Sequence, residues 1–82
     1  MDITMGKSGV LFVAYLKEQL RLRKGRIDNY KDTMFAEELG VEYGTLKRWL
    51  SADAVERIDL ENFLALQSVF GDDFTRYLLG KK

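Results

Sequence analysis

Between Tyr43 and Ser51 the chain reads YGTLKRWLS, and its polar residues are suited to recognition rather than to bond breaking. Arg48 offers a planar fork of N–H donors that matches paired acceptors, and Lys47 a compact mobile charge. Lys and Arg on a helix also commonly form nothing more than a solvated face, so the two residue types do not decide between these readings. Catalysis has less to draw on. The chain contains no cysteine and no histidine, which rules out disulfides, the usual zinc ligands and Cys–His or Ser–His nucleophile pairs. Paired carboxylates remain, but nothing marks a pocket for them, so an enzyme is not expected. The stretch Met5–Ser8, MGKS, resembles the end of a phosphate-binding loop, yet the glycine and strand that should precede it are missing. Ser8 is better read as the cap of a first helix.

Two short amphipathic helices would hold the Tyr43–Ser51 segment in place. In FAEELGVEYGTLKRWL, Phe35 to Leu50, a small residue (Ala36) lies four positions before a glycine (Gly40), and valine, leucine and tryptophan follow. Ala36 lets two helices cross closely, and Gly40 supplies the left-handed backbone of a sharp turn. Val41 tucks inward, and Leu46 and Trp49 share one face of the next helix. These conditions describe a helix-turn-helix over about residues 33–50.

The rest of the chain predicts further helices. The 82 residues suit one domain, 46% of them are hydrophobic, and no proline interrupts them. Residues 1–8 lack periodicity and are expected to form a flexible tail, with the folded domain over 9–82. Phe12, Val13, Leu16 and Leu20 mark a first helix from Gly9 to about Lys24, stopped by Gly25. A connector, Arg26 to Asp32, carries Ile27 and Tyr30 as anchors against the core. Asp32 or Thr33 caps a second helix to about Leu39, and Tyr43 to Leu50 forms the third. Asp59 caps a fourth, with Leu60, Phe63, Leu64, Leu66, Val69 and Phe70 inward and Gly71 at its end. Asp73 caps a last one bearing Phe74, Tyr77 and Leu78 and closed by Gly80. The expected class is all-α, five helices without strands.

Charge is balanced overall and uneven locally. Formal net charge is zero, but Lys17–Lys31 holds six basic residues against two acids, and Asp53–Asp73 six acids against Arg57. A basic end and an acidic end would orient the molecule on a polyanion, although solvated clusters are equally consistent with the pattern. The longest apolar run, Val10–Leu16, is far short of the roughly 20 residues that span a bilayer, and no small-residue cleavage site follows it. The expectation is a cytoplasmic protein with no membrane association.

The stretch Phe35–Leu50 resembles the helix-turn-helix of the lambda-repressor-like (Cro-type, xenobiotic-response-element) family of DNA-binding regulators. DLENFLALQSVFGDDFTRYLL, Asp59 to Leu79, is similar to that family's fourth helix, glycine break and fifth helix, so the likeness covers about residues 10–79. The resemblance implies a five-helix lambda-repressor-like domain and a small sequence-specific transcriptional regulator, a repressor of bacterial, phage or plasmid type. It needs no cofactor, and its partner is a double-stranded DNA operator read in the major groove by the third helix. Arg48 would read a base, pairing with guanine O6 and N7, and Lys47 a base or a phosphate. Tyr43 would meet a thymine methyl or a phosphate, unless it belongs partly to the core. Gly44 would permit close approach. Lys31 and Thr33 would clamp a phosphate at the second helix, with Thr45 and Ser51 as lesser phosphate contacts. Arg23, Lys24 and Arg26 would lie near the DNA backbone or in solvent. Symmetric operators usually require a dimer, for which Phe74, Tyr77 and Leu78 offer a surface unless they close the monomer's own core. Zero net charge, Glu42 and the acidic stretch Asp53–Asp73 also fit another use of the fold, binding a protein as an antitoxin, an anti-repressor or a phage inhibitor.

Overall fold

The computed structural model describes residues 1–80. Five helices make up most of it: α1 (Ser8–Arg26), α2 (Asp32–Leu39), α3 (Tyr43–Ser51), α4 (Leu60–Phe70) and α5 (Asp72–Leu78). Two short strands, β1 (Asp2–Thr4) and β2 (Arg57–Asp59), pair antiparallel in the register Asp2↔Asp59, Ile3↔Ile58, Thr4↔Arg57. The expectation of a strand-free chain with a loose tail over residues 1–8 is therefore corrected. Backbone bonds extend the pairing at both ends, from Met5 N–H to Glu56 O (2.7 Å) and from Leu60 N–H to Met1 O (2.9 Å). Met5 and Ile58 are buried in the core.

Phe12 and Phe74 join the two halves of the core. The Phe12 ring meets Trp49 of α3 edge-on, with centroids 5.2 Å apart, and Phe74 of α5 at 6.0 Å. Phe74 is fully buried and lies within 5.7 Å of Phe63, Phe70 and Tyr15. Tyr15 donates its hydroxyl proton to Asp73 Oδ2 at 2.9 Å, and burial followed by that carboxylate pushes the phenol well above its usual range. Gly9 allows α1 to begin against the loop after α3. A Cβ there would stand 2.2 Å from Val55 O, while the Gly9 carbonyl accepts from Val55 N–H at 3.2 Å.

Several expected caps and faces are reassigned. Lys7 occupies the N-cap of α1, and the Ser8 hydroxyl donates instead to Leu78 O at 2.7 Å, tying α1 to the end of α5. Gly25 does not stop α1, which continues to Arg26. Lys31 is the N-cap of α2, and neither Asp32 nor Thr33 caps it; Asp32 pairs with Lys24 at 2.9 Å. Asp59 caps α4 as expected, accepting from Glu61 N–H, but α5 is led by Gly71 and Asp73 is committed to Tyr15. Tyr30 packs on Phe35 as an anchor, whereas Ile27 is exposed. Leu64 and Val69 are exposed too. At about 100° per residue, Leu60, Phe63, Leu66 and Phe70 share one arc of α4, and Leu64 and Val69 fall beyond its edges.

Arg23, expected near a DNA backbone or in solvent, is instead largely withdrawn from solvent. Its side chain is only 12% exposed, stacked over the rings of Phe35 and Phe70 at 5.3 and 5.7 Å. Nε donates to Glu38 Oε2 (2.8 Å) and Nη1 to Gln19 O (3.1 Å), while Tyr30 donates to Glu38 Oε1 (2.7 Å). The bond from Arg23 holds the Glu38 carboxyl below its ordinary range, and burial with the Glu38 bond raises Tyr30 to about 12. A carboxyl held low stabilises the fold above the unfolded-chain value of about pH 4.3 and loses that contribution as pH falls through the lowered one. Glu38→Gln is therefore expected to cost about 1 kcal/mol at pH 7, the solvent-screened end of charged hydrogen bonds. Urea titrations at pH 7 and pH 3 check it: the difference between the two proteins should shrink at pH 3.

α2 ends in a left-handed turn. Gly40 has φ 73° and ψ 28°, Val41 N–H donates back to Ala36 O (3.1 Å) and Gly40 N–H to Glu37 O (3.2 Å), the paired bonds of a Schellman cap. The nearest atom to a Cβ at Gly40 would be Ala65 Cβ at 3.9 Å, so space is available and the positive φ is the constraint. Gly40→Ala should cost about 1–2 kcal/mol, or roughly 4–8 °C in Tm per kcal/mol for a domain of this size. Gly40→Asn should cost less, because Asn tolerates that region better. Thermal melts of the two variants compare them directly.

Candidate nucleic-acid interface

The sequence of α3 separates its faces sharply. With about 100° per residue, Tyr43, Lys47, Ser51, Gly44 and Arg48 occupy one continuous arc of about 140°. All five are exposed, while Leu46 and Trp49 are buried and Thr45 and Leu50 half-buried on the other side. The inward group packs α3 against α1 and α2, so the outer arc projects from the domain. No acid lies on that arc.

Two of the outward side chains are uncommitted cations. Lys47 and Arg48 form no ion pair with any described residue. Arg48 lies one turn beyond Gly44 on the same face of the helix. Gly44 leaves that turn bare, because a Cβ built there would find no atom within 4 Å. Tyr43, at 42% exposed, stands at the first position of the helix rather than in the core. The Ser51 hydroxyl donates to Lys47 O at 2.9 Å, which leaves its oxygen as an acceptor.

Lys31 and Thr33 flank the start of α2, both exposed. The Lys31 carbonyl accepts from Met34 and Phe35 N–H, leaving its side chain free of the turn. Thr45 is half-buried, less open to a partner than the other residues of α3. Glu42 is the N-cap of α3, extended at φ −69° and ψ 143°, and its carboxylate caps no amide. It is an exposed acid beside the first turn.

The residues considered for a dimer surface are placed otherwise. Phe74 is fully buried and Leu78 is 7% exposed, both in the monomer's core, and Tyr77 is half-buried against Tyr15. Exposed apolar surface at this end comes from Leu79, at 65%. No helix among the described residues is long and apolar enough to cross a membrane. Comparison with known protein families, curated proteins and solved structures gave no match.

Gly44→Ala fills open space on a helix and should stabilise the fold by up to about 1 kcal/mol. A raised urea midpoint with unchanged slope would establish this. A lowered midpoint would mean that Gly44 answers to a backbone constraint within the fold.

Proposed function

We propose that the protein is a small sequence-specific DNA-binding regulator that lays the outer arc of α3 in the major groove. The observation that carries this reading is the set of side chains on that arc: Lys47 and Arg48 unpaired, Gly44 bare one turn before Arg48, and no acid among them. A bare glycine on the outer arc lets the backbone come close to base edges, which favours a guanidinium meeting guanine O6 and N7. The glycine cap at Gly40 supports the same reading, since it fixes the angle at which α3 leaves α2. Lys31, Thr33 and Ser51 then contact phosphates and set the register. Repression is the regulatory role proposed, by occupation of an operator.

Selection from a random duplex library at low salt, followed by affinity measurements across salt, tests the proposal. With 6–10 phosphate contacts, binding should weaken by roughly 10³–10⁵ between 50 and 200 mM salt. Arg48→Ala should relax the preference at one base pair by about 1–3 kcal/mol. Equal weakening for every sequence would reassign Arg48 to the phosphates. Failure to enrich any duplex would sink the proposal.

A further inference from the structure

A second site opens where α1 meets the start of α2 and the end of α3. Lys17, Leu20, Arg21 and Lys24 of α1 line, with Asp32 of α2 and Leu50 of α3, a shallow, open cleft of about 370 Å³. The α1 residues recur at the three- and four-residue spacing of a single helix face. The volume falls within the range of small-molecule sites, roughly 300–1,000 Å³.

The chemistry of the walls is divided. Leu20 and Leu50 are half-buried and supply an apolar floor. Three cations and one acid stand around it. Asp32 Oδ1 is shielded from solvent and held by the Lys24 ammonium at 2.9 Å, so that acid is already neutralised. Arg21 holds Glu18 one turn away on α1 through Nε and Nη2, a fork-on-carboxylate pair near the surface that an entering carboxylate would have to displace. Lys17 forms no ion pair with a described residue. An entering carboxylate would therefore meet Lys17 directly and Arg21 in exchange for Glu18, with hydrocarbon beneath them.

We propose that this cleft binds a small carboxylate carried on a hydrocarbon body. The body covers Leu20 and Leu50, and the carboxylate meets Lys17 and Arg21, whose fork suits a carboxylate's paired oxygens. A bare phosphate is a poorer occupant, because a strongly hydrated oxyanion gains nothing from the apolar floor. An uncharged alcohol of the same length leaves the cations without a partner. The occupant would touch α1, α2 and α3 together, and so bears on how α3 is held.

The experiment is NMR titration of the full chain with sodium octanoate, octan-1-ol and inorganic phosphate, all without DNA. Octanoate should give saturable shifts at the Leu20 and Leu50 methyls and at the amides of Lys17, Arg21 and Lys24. Octan-1-ol should bind at least tenfold more weakly. The double variant K17E/R21E, with its core methyl resonances and Tm as a check on folding, should lose octanoate binding tenfold or more, and Lys17→Ala gives the same direction if the double variant is unfolded. Equal affinity for the alcohol, phosphate shifts at the same residues with equal affinity, or no saturation up to about 10 mM octanoate would each overturn the proposal. Because no nucleic acid is present, the result stands apart from the DNA-binding reading.

Discussion

Phe12 is the contact through which the two halves of the molecule hold each other. Its ring meets both Trp49 on α3 and Phe74 on α5, and it is fully buried. The nine residues of α3 bury only Leu46 and Trp49 completely, too little to fix a short helix alone. Its orientation therefore depends on what Trp49 rests against. Phe74 is held in turn by Tyr15, Phe63 and Phe70, so the C-terminal half acts as the backstop for α3. Aromatic edge-to-face pairs add about 0.5–1.5 kcal/mol each beyond the area they bury, and their directionality sets an angle as well as an energy. On the proposed reading, the presentation of the five outward residues of α3 depends on that angle.

Arg23 has a different role at the far end of α1. A guanidinium withdrawn from water is costly unless all its donors are used, and here Glu38 and Gln19 take them while two rings cover its faces. The charge thereby locks α1 to α2 through Glu38 and to α4 through Phe70. Lys24 repeats the link at the start of α2 through Asp32. Much of the positive balance read between Lys17 and Lys31 is thus spent inside the fold. What remains of it lies on Lys17, Arg26 and Lys31, exposed residues that form no ion pair with a described residue.

The five helices were legible because their apolar residues repeat at helical spacing and glycines punctuate them. Gly40 was legible for a local reason, since a Schellman cap is decided by neighbouring residues. The strands were not. Asp2–Thr4 and Arg57–Asp59 are three residues each, too short for alternation to register, and their pairing joins positions more than fifty residues apart. Gly9 likewise gave no signal, because its reason is the Val55 carbonyl, far away in sequence. Polar residues were misread where a tertiary partner outbid the local one: Ser8 serves Leu78, Asp73 serves Tyr15, and Arg23 serves Glu38. On α3, Tyr43, Gly44, Lys47 and Arg48 are exposed as expected, whereas Thr45, expected outward with them, is half-buried on the inner side. That Glu42 caps nothing needed coordinates.

Zero net charge does not count against contact between this molecule and DNA. The domain measures 34 Å along its longest axis, whereas exposed charges are screened over about 8 Å at physiological ionic strength. A polyanion approaching α3 therefore responds to the charges near that helix and hardly to the sum over the chain. On the arc itself those are Lys47 and Arg48, and Glu42 is the acid adjoining them in sequence. Because its carboxylate is engaged with no amide of α3, its repulsion is not offset by a capping bond. Repulsion between a carboxylate and phosphates carries no information about base identity. On the proposed reading Glu42 lowers affinity for every duplex alike, which leaves discrimination to Arg48 and limits how tightly the protein holds the wrong sequence.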